Sequence, residues 1–210
     1  TLKITTTTHS FFTNNAERMR LNDNGLGIGE TNPDVPLHIT SNTPIISFDE
    51  SDASKEYRIG SFGGSFAIHD NTANAFRMVV TSGGKIGIGE AAPLGKLHIK
   101  EADSGASSAP SNSDTLVLEG SSEVGISMLT GSTNKMSIHF GDSSNVEVAG
   151  IVYHNNGDTM RFNTFGAERM RITSTGVGFG TSTIARQLVV SGAVSPVISI
   201  RDTGTSGSPS

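Results

Sequence analysis

One block of sequence occurs three times in this chain, and that repetition constrains the fold more tightly than any single motif. It reads AERMRLNDNGLGIGETNPDVPLHI over Ala16–Ile39 and AFRMVVTSGGKIGIGEAAPLGKLHI over Ala75–Ile99. The third copy is AERMRITSTGVGFGTSTIARQLVV over Ala167–Val190. Each copy opens near an Arg-Met pair: Arg18-Met19, Arg77-Met78 and Arg169-Met170. A polar turn containing glycine follows. Apolar residues at Leu26/Ile86/Val177 and Ile28/Ile88/Phe179 then alternate with Gly27/Gly87/Gly178 and Gly29/Gly89/Gly180. A leucine comes near the end of each block, at Leu37, Leu97 and Leu188. Alternation with a period of two belongs to β-strands, so the chain reads as one β cassette used three times.

The alternation also assigns faces. Met19 and Leu21 share one side of a strand, and Arg18 and Arg20 share the other. Asn22-Asp23-Asn24-Gly25 tolerates positive φ and reverses the chain into Leu26-Gly27-Ile28-Gly29. Leu26 and Ile28 then point one way with only glycine opposite, and repeated glycine marks close approach by another backbone. Pro33 and Pro36 exclude a central strand between them, and Leu37-His38-Ile39 resumes the alternation. The cassette therefore reads hairpin, turn, strand. Met19, Leu21, Leu26, Ile28, Leu37 and Ile39 are expected to pack inward with their equivalents.

Comparing the copies weighs the polar residues. His38 and His98 share a slot with Val189 and are expected to face outward. Glu17 and Glu168 share a slot with Phe76, which rules out acid–base work there. Glu30 and Glu90 give way to Thr181, which rules it out at that slot too. Arg18, Arg77 and Arg169 persist in all three copies and are expected to make a structural ion pair or hydrogen bond with a neighbouring chain.

Composition sets the outer limits. With 34% hydrophobic and 6% aromatic residues, no Trp and 25 Gly, a single module has little with which to build its own core. Self-association is the natural remedy. A net charge of −5 argues against a nucleic-acid partner. There is no cysteine for a disulfide framework or a Cys-based metal site. No apolar run is long enough for a membrane span, and no signal peptide is visible at the first residue, Thr1.

Four segments are expected along the chain: 1–49, the first cassette; 50–110, the second cassette with a Ser/Ala-rich loop; 111–202, inserted strands and the third cassette; and 203–210, a linker or frayed end. Thr1–Thr8 and Pro196–Ile200 read as strands. Further strands are expected around Tyr57–Ile59, Phe66–Ile68, Thr115–Leu118, Gly125–Leu129, Lys135–Phe140 and Val146–Tyr153. Asn155-Asn156-Gly157-Asp158 is a two-residue hairpin signal.

The combination E-R-M-R-(I/L), G-x-G-I-G, P and K-L-H-I resembles the shaft repeats of bacteriophage tail fibres, common in viruses of aquatic bacteria. The resemblance covers the three repeat blocks, and the intervening strands match more loosely. It implies an all-β, elongated, fibrous fold in which the hairpin cassettes form an intertwined parallel homotrimer. Such a fibre links a virion to its host receptor and is extracellular. In that family the repeats often precede a C-terminal intramolecular chaperone that trims itself off, and nothing here matches it. Some related fibres bind iron through H-x-H pairs, and this chain has none.

On this reading the trimer core comprises Met19, Leu26, Ile28, Met78, Ile86, Ile88, Met170, Val177 and Phe179. Residues for receptor contact are Tyr153, His154, Asn155, Asn156 and Asp158, with the polar loops Gly131–Asn134 and Asp142–Asn145 beside them. Their aromatic, amide and hydroxyl groups suit weak glycan binding multiplied by avidity. No catalytic residue, cofactor or metal is expected. Partners are further copies of the chain, other tail-fibre or virion proteins and a host-surface glycan. Gly25–Gly29 lacks the spacing and the helix of a nucleotide loop. There is no nucleophile elbow. Asp49/Glu50 with Asp52 leave a polysaccharide-degrading tailspike open as an alternative. A cellular adhesin or stalk built on the same trimeric logic is the other.

Overall fold

The computed structural model describes residues 8–192. Residues 1–7 of the expected first strand, the expected strand Pro196–Ile200 and the 203–210 linker lie outside the described residues. The described residues hold strands and turns with no helix, so the chain is all-β. It divides into two units, Thr1–Gly125 and Ile126–Ser210.

The first unit contains two sheets. In one, β1 (Thr8–Thr13), β2 (Ala16–Asn22), β3 (Leu26–Ile28) and β4 (Leu37–Ile39) lie side by side in chain order. The other holds β5 (Ile45–Glu50), β6 (Lys55–Phe62), β7 (Ser65–Asp70), β8 (Ala75–Val80), β9 (Ile86–Ile88), β10 (Leu97–Lys100) and β11 (Leu116–Glu119), also in chain order. The second unit holds one sheet of β12 (Lys135–Phe140), β13 (Ala149–His154), β14 (Thr159–Thr164), β15 (Ala167–Thr173), β16 (Gly176–Phe179) and β17 (Leu188–Val190). All three sheets are mixed. Neighbours pair antiparallel except at β3–β4, β9–β10, β10–β11 and β16–β17, which are parallel.

Those parallel pairs explain the cassette. A parallel connection must cross over the sheet before returning. Here the crossover takes only the residues between the glycine run and the leucine, so it hugs the sheet face. A Cβ at Gly27 would collide with the Glu30 carbonyl oxygen, and one at Gly87 with that of Glu90. At Gly178 it would strike the Ile184 side chain, which stands in the slot of Pro33 and Pro93. Both prolines are buried. Two residues on, Gly29, Gly89 and Gly180 turn the corner at φ of 69°, 72° and 68°, the left-handed region that favours glycine.

The crossover covers one face of the sheet and leaves the other open. Cross-strand register puts Phe11, Met19, Ile28 and Ile39 in one row of the first sheet. In the second sheet the row runs through seven strands: Ile46, Ile59, Ile68, Met78, Ile88, Ile99 and Leu118. In the third it is Ile138, Ile151, Phe162, Met170, Phe179 and Val190. The alternation predicts that the cassette members of these rows pack inward, and within one chain they do not. Ile28, Ile88 and Phe179, the same slot in three copies, are 41%, 43% and 41% exposed. Among the described residues the largest fully buried side chains lie on the opposite face and are His98 and Pro33.

Three further expectations are corrected. Gly125–Leu129 forms no strand. The strand expected from Val146 begins only at Ala149, because Asp142 first turns the chain by accepting the N–H groups of Ser144 and Asn145. The turn expected to take two residues takes four, Asn155–Asp158, between His154 and Thr159, which pair with each other.

Candidate functional site

The crossover face gathers most of the polar chemistry. Slot by slot, the three copies show what each residue type does there. The carboxylates of Glu30 and Glu90 accept the N–H of the residue two further on, Asn32 at 2.7 Å and Ala92 at 2.6 Å. Thr181 Oγ1 does the same for Thr183 at 3.1 Å. The slot therefore needs an oxygen to hold the loop, which Glu and Thr both supply. Arg18 and Arg169 donate from Nε to Thr13 Oγ1 at 2.8 Å and Thr164 Oγ1 at 3.1 Å, while Arg77 Nη2 donates to Asp70 Oδ2 at 2.6 Å. Each sits at a β-bulge and reaches the last residue of the preceding strand. A structural ion pair or hydrogen bond is thus present at this slot in all three copies, with its partner in the same chain.

Glu17 and Glu168 form two-pronged ion pairs with Arg20 and Arg171 at 2.6–2.7 Å. In the second copy both members change together, to Phe76 and Val79. Phe76 then packs edge-on against His69 and Phe62. An ion pair and an apolar pair are alternative fillings of one place.

The second cassette builds something the others lack. Its extra parallel strand, β11, brings Glu119 to the crossover face beside His98. His98 Nε2 lies 2.9 Å from Glu119 Oε2, at ion-pair distance but with the ring N–H off that line. Lys100 Nζ stands 2.9 Å from Glu90 Oε2 and 3.6 Å from Glu119 Oε1. The Ser104 N–H and hydroxyl each reach Glu119 Oε1 at 2.9 Å. His98 is 0% exposed, so the outward orientation expected for it is wrong: the crossover loop roofs the glycine side of the sheet. His38, in the same slot without β11, is half-buried.

Glu90, His98 and Glu119 bring possible metal-ligating atoms within 4.8 Å of one another. Two observations speak against a metal there. The Leu94 N–H donates to His98 Nδ1 at 3.2 Å, so the neutral ring carries its proton on Nε2, the nitrogen a metal would need. A ligating histidine has the reverse arrangement, donating from its second nitrogen to an oxygen. The Lys100 ammonium also takes the position of the cation between the two carboxylates. Glu119 is held below its ordinary 4.5 first by the Ser104 N–H, against burial, with the Ser104 hydroxyl and the Lys100 charge assisting. Burial pushes Glu90 up, but Lys100 and the Ala92 N–H outweigh it and leave it below 4.5. The cluster is an ion network that clamps the crossover loop to β10 and β11.

The residues singled out for receptor contact lie around the β13–β14 turn. Tyr153 donates its hydroxyl to Asp158 Oδ1 at 2.9 Å, which also raises the phenol above its ordinary 10.0. Asn155 donates Nδ2 to the Gly131 carbonyl at 2.9 Å, and its N–H to the Asn134 carbonyl at 3.0 Å. These bonds join the turn to the Gly131–Asn134 loop. Asn156 and Asp158 are exposed, while His154 is half-buried. The Asp142–Asn145 loop lies at the other end of the same strands, where Asp142, Asn145, Val148 and Phe165 border a depression of 420 Å³. The structure thus separates the polar loops that the sequence grouped as one surface.

The residues named for the trimer core all stand on the open face. Met19, Met78 and Met170 pair with Ile28, Ile88 and Phe179, while Leu26, Ile86 and Val177 pair with Leu37, Leu97 and Leu188. Among the described residues nothing fully covers this face, and Ile28, Ile88 and Phe179 on it stay partly exposed. No family model matches the chain, and no curated protein matches it.

Proposed function

We propose that this chain is a structural and attachment segment of a bacteriophage tail fibre. On this reading it is non-enzymatic and forms an elongated, parallel homotrimer that links a virion to a receptor on the host surface. The observation that carries the reading is the uncovered apolar face repeated on all three sheets. Fully burying one aliphatic side chain is worth roughly 1.5–3 kcal/mol. Completing the burial of a seven-strand row already half covered therefore offers on the order of 5 kcal/mol per chain. Large exposed apolar patches are uncommon on monomers and mark interaction surfaces. A parallel trimer places each row against the same row of its neighbours, so apolar residue meets apolar residue in every cassette. The polar faces, already closed by the crossover loops, then point to water.

Small-angle scattering tests the shape. A rod-like profile with the mass of three chains supports a fibre segment, and a compact single-chain particle contradicts it. Release of reducing ends from host polysaccharide would instead favour a tailspike.

A further inference from the structure

Residues Ile126–Leu129 read Ile-Ser-Met-Leu, with Ile126 and Met128 on one side of an extended chain and Ser127 and Leu129 on the other. They form no strand, and no residue from Ile126 to Thr130 makes a backbone hydrogen bond. Ile126 and Leu129 are 68% and 93% exposed. Such a segment leaves its backbone N–H and C=O groups open to solvent and to pairing with a strand edge. Immediately after it, Asn134 N–H closes a turn on the Gly131 carbonyl at 3.0 Å, and β12 begins at Lys135 as the free edge of its sheet.

The obvious partner is β12 of the same chain, and the register of that turn argues against it. With Gly131 opposite Asn134, Ser127 falls opposite Ile138 and Leu129 opposite Met136. Ile126 and Met128 then fall opposite His139 and Ser137. Ile138 and Met136 belong to the apolar rows of the sheet, whereas Ser137 lies in the row of Val152, Arg161, Arg171 and Gly178. The hairpin would thus place Ser127 and Leu129 on the apolar face and Ile126 and Met128 on the polar one, whereas a register shifted by one residue sends two apolar side chains to the apolar face and only Leu129, opposite Lys135, to the polar one. A slip of one residue reverses every side chain, and the tight turn forbids that slip.

A second copy of the chain carries no such restriction. We infer that Ile126–Leu129 is a strand donated to the β12 edge of a second copy, antiparallel, with Ile126 opposite Ile138 and Met128 opposite Met136. In that register Ile126 extends the row from Ile138 to Val190, and Met128 extends the row Met136, Tyr153, Met160, Ile172, Val177 and Leu188. Main-chain bonding along an open edge supplies affinity, and the alternate side chains supply register. The donated strand also covers an edge that would otherwise invite uncontrolled pairing. The inference rests on the self-association proposed above and adds which segments exchange.

The test uses the absence of cysteine from the chain. In the exchanged register Ser127 and Ser137 stand opposite each other on the polar face, within disulfide reach. In the intrachain hairpin they stand on opposite faces. The double variant Ser127→Cys/Ser137→Cys is oxidised in the assembled state and run under denaturing, non-reducing conditions. Covalent multimers are expected from it, with only single chains from Ser127→Cys or Ser137→Cys alone. Hydrogen exchange on the unmodified protein is expected to show protected amides at 126–129 in the assembly. An oligomer with an intrachain disulfide, with free thiols, or with unprotected amides at 126–129 overturns the exchange and leaves self-association standing. A single-chain mass for the unmodified protein overturns both.

Discussion

Gly87 shows how little room a single position leaves. A methyl group there would overlap the Glu90 carbonyl oxygen, which is backbone of the crossover, and would stand 3.5 Å from Pro93 Cγ. Gly87→Ala should therefore destabilise the chain by about 1–3 kcal/mol in denaturant unfolding, the usual cost of overpacking. Gly83→Ala is the control: its methyl meets nothing closer than Thr81 Oγ1 at 3.9 Å, and the loss should be slight. Acid should act on the buried carboxylates. Asp70 is held below its ordinary 3.8 chiefly by Arg77 and then by the Ala73 N–H, and Glu119 and Glu90 lie below 4.5. Because their folded values are depressed, the unfolded chain takes up protons first as pH falls. Their contribution is thus complete above the unfolded values and lost as pH drops through the folded ones. Thermal unfolding should hold steady from neutrality to roughly pH 5 and decline below it, and Glu119→Gln should flatten that decline. A melting temperature that rises on acidification would contradict this account of the cluster.

At the scale of elements, the cassette is a hairpin followed by a short parallel return, and its two faces have separate tasks. The polar face tolerates either an ion pair or an apolar pair at one place, as Glu17/Arg20 and Phe76/Val79 show. Arg20→Val alone should lower the melting temperature, because it leaves Glu17 half-buried without its partner. Glu17→Phe with Arg20→Val should recover most of the loss, and additive losses in that double-mutant cycle would contradict the exchange. The hairpin and the glycine contact were legible from spacing, since period-two alternation and repeated glycine have direct steric causes. The burial of His98 was not. It depends on β11, which lies beyond the repeat and brings Glu119 from 21 residues further along the chain. The arginine slot was legible as structural, but its partners are Thr in two copies and Asp in one, so no shared residue type announced them. Turn register was also beyond reach for Ile126–Leu129, whose pattern is a strand but whose tether sets the wrong face.

For the whole molecule, the question is what covers the open faces. Alternation placed Met19, Ile28, Met78, Ile88, Met170 and Phe179 on one side, and the structure aligns each with its cross-strand neighbour. Position along a strand fixes a face, but it does not say which chain packs against it. If copies of the chain supply the cover, Ile28→Asp places clustered carboxylates where no partner or water can serve them, at a steep cost for each unpaired charge. The variant should shift the protein toward single chains while far-UV circular dichroism keeps its β signature. An unchanged assembly would remove Ile28 from the interface. The central claim is met most directly by the mass of the unmodified protein in solution, measured by light scattering at micromolar concentration. Self-association through these faces as a trimer predicts three times the 21.9 kDa of one chain, and a mass of 21.9 kDa would contradict it.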